Sequence, residues 1–456
     1  MGSVRRNEAE PRRGEDPNWI SPRFDIKDVE GKATFTIDGV AIEAIVKEVA
    51  PPFFVYSAGD IKDKYTALRD ALVPAGIDVY FSMKTNTSQA VVAGLSKMGA
   101  GLEVASIGEL LMAQEVYADP KRVSFAGPVK TDEELEKAIE WGVGAINVES
   151  EEEFSRIDEI AESLGKIQRV GIRVNPKSTI SKAGGTMGGG QQKFGIDEEK
   201  LTPEFIGKIG KLSNVQLVGV HVFSATQMLD AEEFLGNFRN ILSIARRLNN
   251  SFPVEYIDFG GGLGIPYSPD KEALPLDEIS TVIKSALLDF PFVRNQSVHM
   301  YFEPGRYLVG ASGVYIAEVD HVKESRGKTF VMVNGGWHHE ARPAPKMNFG
   351  IHPAYNVSRP VDFNKKIMTI AGSLCTSIDI LGEDVDLPIA TKRGDLIGIF
   401  NAGAYGKNQS PQDFLSHPKP AEILTANGNW AIVREAEHPQ DYLFRGQIIP
   451  ENASFE

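Results

Sequence analysis

From residue 50 onward the chain alternates between two textures. Short runs of consecutive apolar residues are separated by longer stretches whose apolar positions fall three and four apart. The runs read as parallel strands buried on both faces, and the spaced stretches as amphipathic helices. Strands are predicted at 51–56, 77–81, 101–106, 123–126, 145–148, 170–174, 217–222, 256–259 and 298–302. Helices are predicted at 58–75, 89–98, 107–116, 131–141 and 152–164, with another running to 248 after the strand at 217–222. Thr131 stands where an N-cap belongs, and acidic residues follow it in the first turn. Strands alternating with helices imply a parallel sheet with right-handed crossovers. Roughly eight repeats over residues 50–310 imply an α/β fold, a closed (β/α)8 TIM barrel.

After residue 310 helical spacing fades. Short β-rich runs at 314–322, 330–333, 366–371 and 396–400 are separated by Gly-, Pro- and Asn-rich turns, as in an antiparallel β-domain. The expected division is a disordered tail at 1–20, a β segment at 21–49 joining the second domain, the barrel at 50–310 and the β-domain at 311–456. Within 21–49, residues 33–46 alternate around Asp38-Gly39, a hairpin signal. The Gly- and Gln-rich stretch 181–192 reads as a mobile loop near the barrel mouth.

Composition narrows the function. Apolar residues make up 42% and charged residues 24%, as in a soluble globular protein. A net charge of −14 argues against nucleic-acid binding. No apolar run approaches a membrane span, and the polar N-terminus lacks the apolar region of a secretory signal. The single cysteine, Cys375, excludes an internal disulfide and any multi-cysteine metal site, and no metal is expected. It fits a reducing compartment, so the cytoplasm is the expected location.

Chemistry gathers at the predicted strand ends. Lys84 directly follows the run 77–81. Burying an ammonium is costly, and one reason to tolerate it is a Schiff base formed by the amine; the plainer reading is a lysine reaching solvent. Gly260, Gly261 and Gly262 follow another strand, where bare backbone N–H groups can approach a phosphate. Glu303-Pro304-Gly305-Arg306 ends the last strand; an acid there can keep a ring nitrogen protonated. His221 could stack on a flat ring, and Arg173 could hold a phenolate or phosphate oxygen. Alone, each has a structural alternative: a tight turn, an ion pair or a core histidine. With Glu103, Glu109 and Ser224 they recur at or just after successive strand ends, so a barrel would bring them to one mouth.

These motifs resemble the fold type III decarboxylases that use pyridoxal 5′-phosphate, the group of diaminopimelate and ornithine decarboxylases. The resemblance covers residues 50–430 or thereabouts. The family's Tyr-x-x-Lys-x-Asn is similar to Phe81-Ser82-Met83-Lys84-Thr85-Asn86. The stretch 101–110 is similar to its Gly-x-x-x-x-Ser-x-x-Glu-Leu, with Glu109 near the cofactor, and Lys193-Phe194-Gly195 to a family loop. The stretch 221–224 is similar to its His-x-x-Ser, 258–262 to its phosphate glycines, and 303–306 to its pyridine-nitrogen acid. In the second domain 372–379 is similar to its cysteine motif, and Gly403-Ala404-Tyr405-Gly406 to its Gly-Ala-Tyr-Gly. The resemblance implies a barrel of the alanine-racemase type and a cofactor bound to Lys84. It implies His221 against the ring, Ser224, Gly305, Arg306 and Tyr405 among the cofactor contacts, and Cys375 as the group that protonates the α-carbon after CO2 leaves. It also implies a homodimer in which Cys375 and Tyr405 reach the site from the partner subunit.

The departures bear on substrate. Diaminopimelate and ornithine decarboxylases carry an acid directly after the cysteine, where this chain has Thr376, so a distal ammonium would lack that partner. The stretches 335–339, 402–406 and 414–418 resemble a branch that includes the butirosin-type decarboxylase of glutamyl-carrier protein, exosortase-associated enzymes and siderophore decarboxylases. The expected substrate is therefore an α-amino acid unit, conjugated or carrier-borne, in an antibiotic or siderophore pathway, with Arg342, His338 and Thr376 as candidate substrate contacts. The alternatives are a free diamino acid decarboxylase, an amino-acid racemase, against which Glu303 argues, and a non-catalytic binding protein.

Overall fold

The computed structural model describes residues 17–177, 185–186, 188–343 and 352–444, and its organising element is a closed barrel of parallel strands. In order these are Ile77–Ser82, Gly101–Val104, Val123–Phe125, Ala145–Val148, Gln168–Asn175, Val215–His221, Tyr256–Asp258 and His299–Phe302. The last pairs with the first through Met300↔Ile77 and Phe302↔Val79, which closes the ring. A short extra strand, Ile196–Asp197, runs alongside Gln168–Asn175. Helices cover the outside. Ala231–Leu248 buries Phe234, Phe238, Ile241, Ala245 and Leu248, the three- and four-residue spacing of one helical face. Thr131 caps Asp132–Trp141 in a reciprocal capping box with Glu134.

The lower lumen is filled by Tyr80, Tyr256 and Tyr301, with ring centres 4.2 Å and 5.9 Å apart along the stack. Glycines opposite make room for them. A Cβ on Gly219 would lie 2.0 Å from the Tyr256 ring, and one on Gly101 would lie 2.6 Å from Tyr80. With the lumen plugged below, polar side chains can meet only at the C-terminal mouth.

The second sheet runs in the order Ile380–Pro388, Lys365–Ala371, Lys328–Val333, Gly313–Ser325, Phe53–Ser57, Ala421–Ala426, Asn429–Arg434, with Leu396–Phe400 also on Gly313–Ser325. It is mixed rather than antiparallel: Lys328–Val333 with Lys365–Ala371, and Phe53–Ser57 with Ala421–Ala426, are parallel pairs. Phe53–Ser57, inside the stretch assigned to the barrel, belongs to this sheet instead. Every residue in it is buried, so its apolar run looks the same as a barrel strand's. The barrel is thus inserted between two neighbouring strands of the second sheet, Phe53–Ser57 and Gly313–Ser325, which pair through Tyr56↔Gly313.

Near the N-terminus, Lys32–Ile37 and Val40–Ala41 form the hairpin predicted at Asp38-Gly39, both of which have positive φ. Phe24, Phe35 and Ile37 pack with Phe53, Val314 and Phe400 in one core. Of the tail, 1–16 lies outside the described residues, but Pro17 and Ile20 are buried and Trp19 Nε1 donates to Tyr355 at 2.9 Å. Much of the predicted loop 181–192 also lies outside them; Gly185–Thr186 pairs with Ala225–Thr226 and Gly189 N–H donates to Asn175. No helix among the described residues is long and apolar enough to cross a membrane.

Candidate active site

The first barrel strand ends at Ser82, and the chain turns through a short 3-10 segment, Met83–Thr85. That turn is locked by Thr85 Oγ1 donating to Ser82 O and by Asn86 Nδ2 donating to Gly403 O. Lys84 is thereby aimed across the mouth, its Nζ 2.9 and 3.0 Å from the two oxygens of buried Glu103. Ser82 Oγ donates to the same carboxylate. Desolvation works against the Lys84 ammonium, but the negative charge of Glu103, which also accepts its hydrogen bond, outweighs it and raises its pKa above the ordinary lysine value. Glu109 lies farther out. Burial, with Glu103 adding repulsion, pushes it up to about 7 although it accepts the Ala105 N–H.

Opposite Lys84 lie Asp258, Glu303 and His221, all buried. His221 Nε2 is 3.9 Å from Asp258 and 3.8 Å from Glu303, and neither ring nitrogen has a hydrogen-bond partner among the described residues. Burial, with Arg173, Lys84 and Lys130 adding repulsion, drives its pKa well below the usual value, so the ring is neutral. Asp258 accepts from Gly260 N–H and Asn147 Nδ2, while Glu303 Oε1 has no partner among the described residues.

Beside this group the backbone forms a tight cradle. Gly260 and Gly262 have φ of +62° and +109°, and a Cβ on Gly261 would fall 2.5 Å from Glu303 O. Ser224 Oγ and Arg306 Nε are buried without hydrogen-bond partners among the described residues. Arg306 also donates to Tyr267 OH at 2.6 Å and lies 5.0 Å from the centre of the Tyr405 ring. Arg342, buried and bonded to Gln409, lies 5.4 Å from the same ring.

On the other side, Arg173 donates to Glu149 at 2.7 Å and lies 4.7 Å from the Phe194 ring. Glu149 also accepts the N–H groups of Gly127 and Gly195, so one carboxylate ties three loops together around Arg173. A cavity of about 180 Å³ gathers Lys84, Glu103, Arg173, His221, Glu303 and Tyr405.

Tyr405 corrects an expectation. It enters the site of its own chain, with its N–H donating to Thr85 O at 2.8 Å. The second domain can come that close because Gly403 has no side chain; a Cβ there would meet Val309 O at 1.8 Å. Other predicted residues lie outside the cavity. Cys375 is exposed and Thr376 half-buried, on a loop held by Asp379, which accepts the N–H groups of Leu374 and Trp337 at 2.6 Å each. His338 is fully buried against His339 and His417 and does not line the cavity. Ser82, Asn147, Glu149, Asp258 and Tyr267 belong to the site and were not singled out in the sequence.

A family profile described as pyridoxal-dependent decarboxylase, pyridoxal binding domain, matches residues 58–310. This chain belongs to that family. The pyridoxal-dependent decarboxylases similar to it include the L-glutamyl-(BtrI acyl-carrier protein) decarboxylase of Niallia circulans, 34% identical over 87% of this chain and 94% of that one. The diaminopimelate decarboxylase of Aquifex aeolicus is 32% identical, over 89% and 94%. Among solved structures, the diaminopimelate decarboxylase of Methanocaldococcus jannaschii superposes with a TM-score of 0.86 at 29% identity, covering 94% of this chain and 99% of that one. The protein is accordingly a pyridoxal phosphate-dependent amino acid decarboxylase. Its residues fit that cofactor: the glycine cradle, the partnerless Ser224 and Arg306 atoms, the neutral imidazole and the open Glu303 oxygen are what a phosphorylated pyridine would engage.

Proposed function

We propose that this decarboxylase acts on an α-amino acid unit presented as a conjugate or on a carrier protein, in a specialised biosynthetic pathway in the cytoplasm. The observation that carries this reading is the placement of Arg342, buried and 5.4 Å from the centre of the Tyr405 ring at the site. A guanidinium there favours a carboxylate, carbonyl or thioester oxygen and repels a distal ammonium. Thr376, where relatives of the free diamino acid class have an acid, supplies no countercharge.

When bound, the cofactor supplies an electron sink for the pair released as the carboxylate leaves. The chain supplies the rest. Lys84 Nζ would attach the cofactor, and Glu103, at 2.9 Å, holds that amine in place. Glu303 faces the ring nitrogen, where an acid rather than the arginine of racemases supports decarboxylation. His221 would pack against the ring, Arg173 would hold its phenolic oxygen, and Ser224, the glycines 260–262, Gly305, Arg306 and Tyr405 would hold the phosphate. Cys375, exposed on its own chain, protonates the α-carbon in the site of a partner subunit, making the working unit a homodimer.

A second reading, a free diaminopimelate decarboxylase, is favoured by the relatives of that name. Mass spectrometry of the cofactor-loaded protein decides between them. Glutamyl-carrier protein and citryl-diamino acids are offered beside free diaminopimelate, ornithine, lysine, arginine and glutamate. Loss of one CO2 from conjugates alone is expected; comparable turnover of free diaminopimelate would transfer the assignment to the second reading.

A further inference from the structure

We propose that Asp258 is a positioning residue that keeps one proton on Glu303 until the ring nitrogen of the cofactor takes it. The inference rests on the assignment of Glu303 to that nitrogen. Asp258 ends one barrel strand and Glu303 follows the next, and the two strands are in register through Asp258↔Tyr301. Their carboxyl oxygens lie within 4.8 Å of each other, and the two residues are 0% and 5% exposed. Two carboxylates in such contact do not both ionise, so the pair retains a proton.

The surroundings decide which oxygen carries it. Asp258 accepts from Gly260 N–H at 2.8 Å and from Asn147 Nδ2 at 3.0 Å. Asn147 is itself fixed, accepting from Tyr256 OH and donating to Ser124 Oγ. Oriented donors favour the charged form of Asp258, whereas Glu303 Oε1 has none, so the proton resides on Glu303. The other groups facing the pair do not neutralise it. His221 is held neutral; Tyr80, Tyr256 and Tyr301 below are kept protonated by burial; Glu103 adds repulsion; Lys84 lies across the cavity, bound to Glu103. Burial and this repulsion push Asp258 up to about 7 and Glu303 well above its usual value. When the cofactor binds, the Glu303 O–H bond breaks, the nitrogen lone pair forms the N–H bond, and Glu303 is left as the carboxylate partner of the cation it has made. No proton has to enter from solvent at the floor of the cavity.

Infrared difference spectra of the full-length chain, before and after pyridoxal phosphate is added, test this across neutral and alkaline pH. The carbonyl stretch of a protonated carboxyl should persist above neutrality without cofactor and vanish on its addition. Glu303→Gln should lack the band at both stages, which assigns it without disturbing the donors to Asp258. Asp258→Asn should move the midpoint of its titration down by more than about one pH unit, because a like charge is removed. Absence of the band above neutrality overturns the shared proton. A band that survives cofactor addition overturns the transfer and, with it, the assignment of Glu303, while leaving the carboxyl pair itself observed.

Discussion

At the scale of single residues the proposed chemistry rests on Lys84, which has an acid within hydrogen-bonding distance and is the one lysine among the cavity residues described. Lys84→Ala is expected to abolish the visible absorption of the attached cofactor and to lower decarboxylation by at least about a thousandfold. Absorption spectroscopy and CO2 release read the two effects separately, and an unchanged visible band would remove the lysine from its role. Lys84, Glu303 and His221 were legible in the sequence because each is a polar residue that ends an apolar run, and a barrel sends such ends to one mouth. Asp258 and Glu149 were less so. Asp258 is the last residue of its strand but lies two residues before three glycines whose bare backbone is the stronger signal, and Glu149 precedes a serine and three acids that read as a helix start. Asn147 lies inside a strand, and a strand alone does not say that its side chain faces the lumen. Tyr405 was placed in the wrong subunit because its route depends on backbone: a positive φ of 65° and the bare Gly403 turn it back to its own chain.

At the scale of elements, Glu149 is the brace on which three barrel loops converge. Both it and Arg173 are almost fully buried, 2% and 7% exposed in their side chains. Removing one partner leaves the other charge uncompensated, and Gly127 and Gly195 lose their acceptor as well. Glu149→Ala is therefore expected to destabilise the chain by about 3 kcal/mol, measured by urea denaturation, with Glu149→Gln costing less because the amide oxygen still accepts. A loss near zero would mean the loops are held by packing alone. The alternation of apolar runs and spaced stretches revealed the barrel helices and strands, because those two periods differ. It did not reveal sheet membership. Phe53–Ser57 carries the apolar run of a barrel strand and pairs elsewhere, since a run buried on both faces contains no mark of its neighbours.

At the scale of the whole molecule, buried ionisable groups of opposite kind set its response to pH. Burial raises Glu109 and Asp258 to about 7 and Glu340 to about 8. Their contribution to stability is complete below the ordinary carboxyl values and is lost as pH climbs through those higher ones. Burial lowers His339 to about 4, and His338 and His352 to about 3. Their contribution is complete above the ordinary imidazole value and is lost as pH falls toward the lower ones. The cofactor-free chain should thus melt highest in mildly acidic solution and lose stability on both sides, with Glu340→Gln reducing the alkaline loss. A melting temperature that climbs steadily from pH 6 to pH 8.5 would contradict this. The insertion of the barrel between two paired strands has a further consequence for how the chain is assembled. Tyr56 meets Gly313 only across everything between them, and closing a loop of that length as free coil costs about 5 kcal/mol from its logarithm alone. A folded barrel brings its two ends side by side and so lowers that cost, which favours this pairing once the barrel has formed. The pairing acts as a fastening across the two ends of the catalytic half of the molecule.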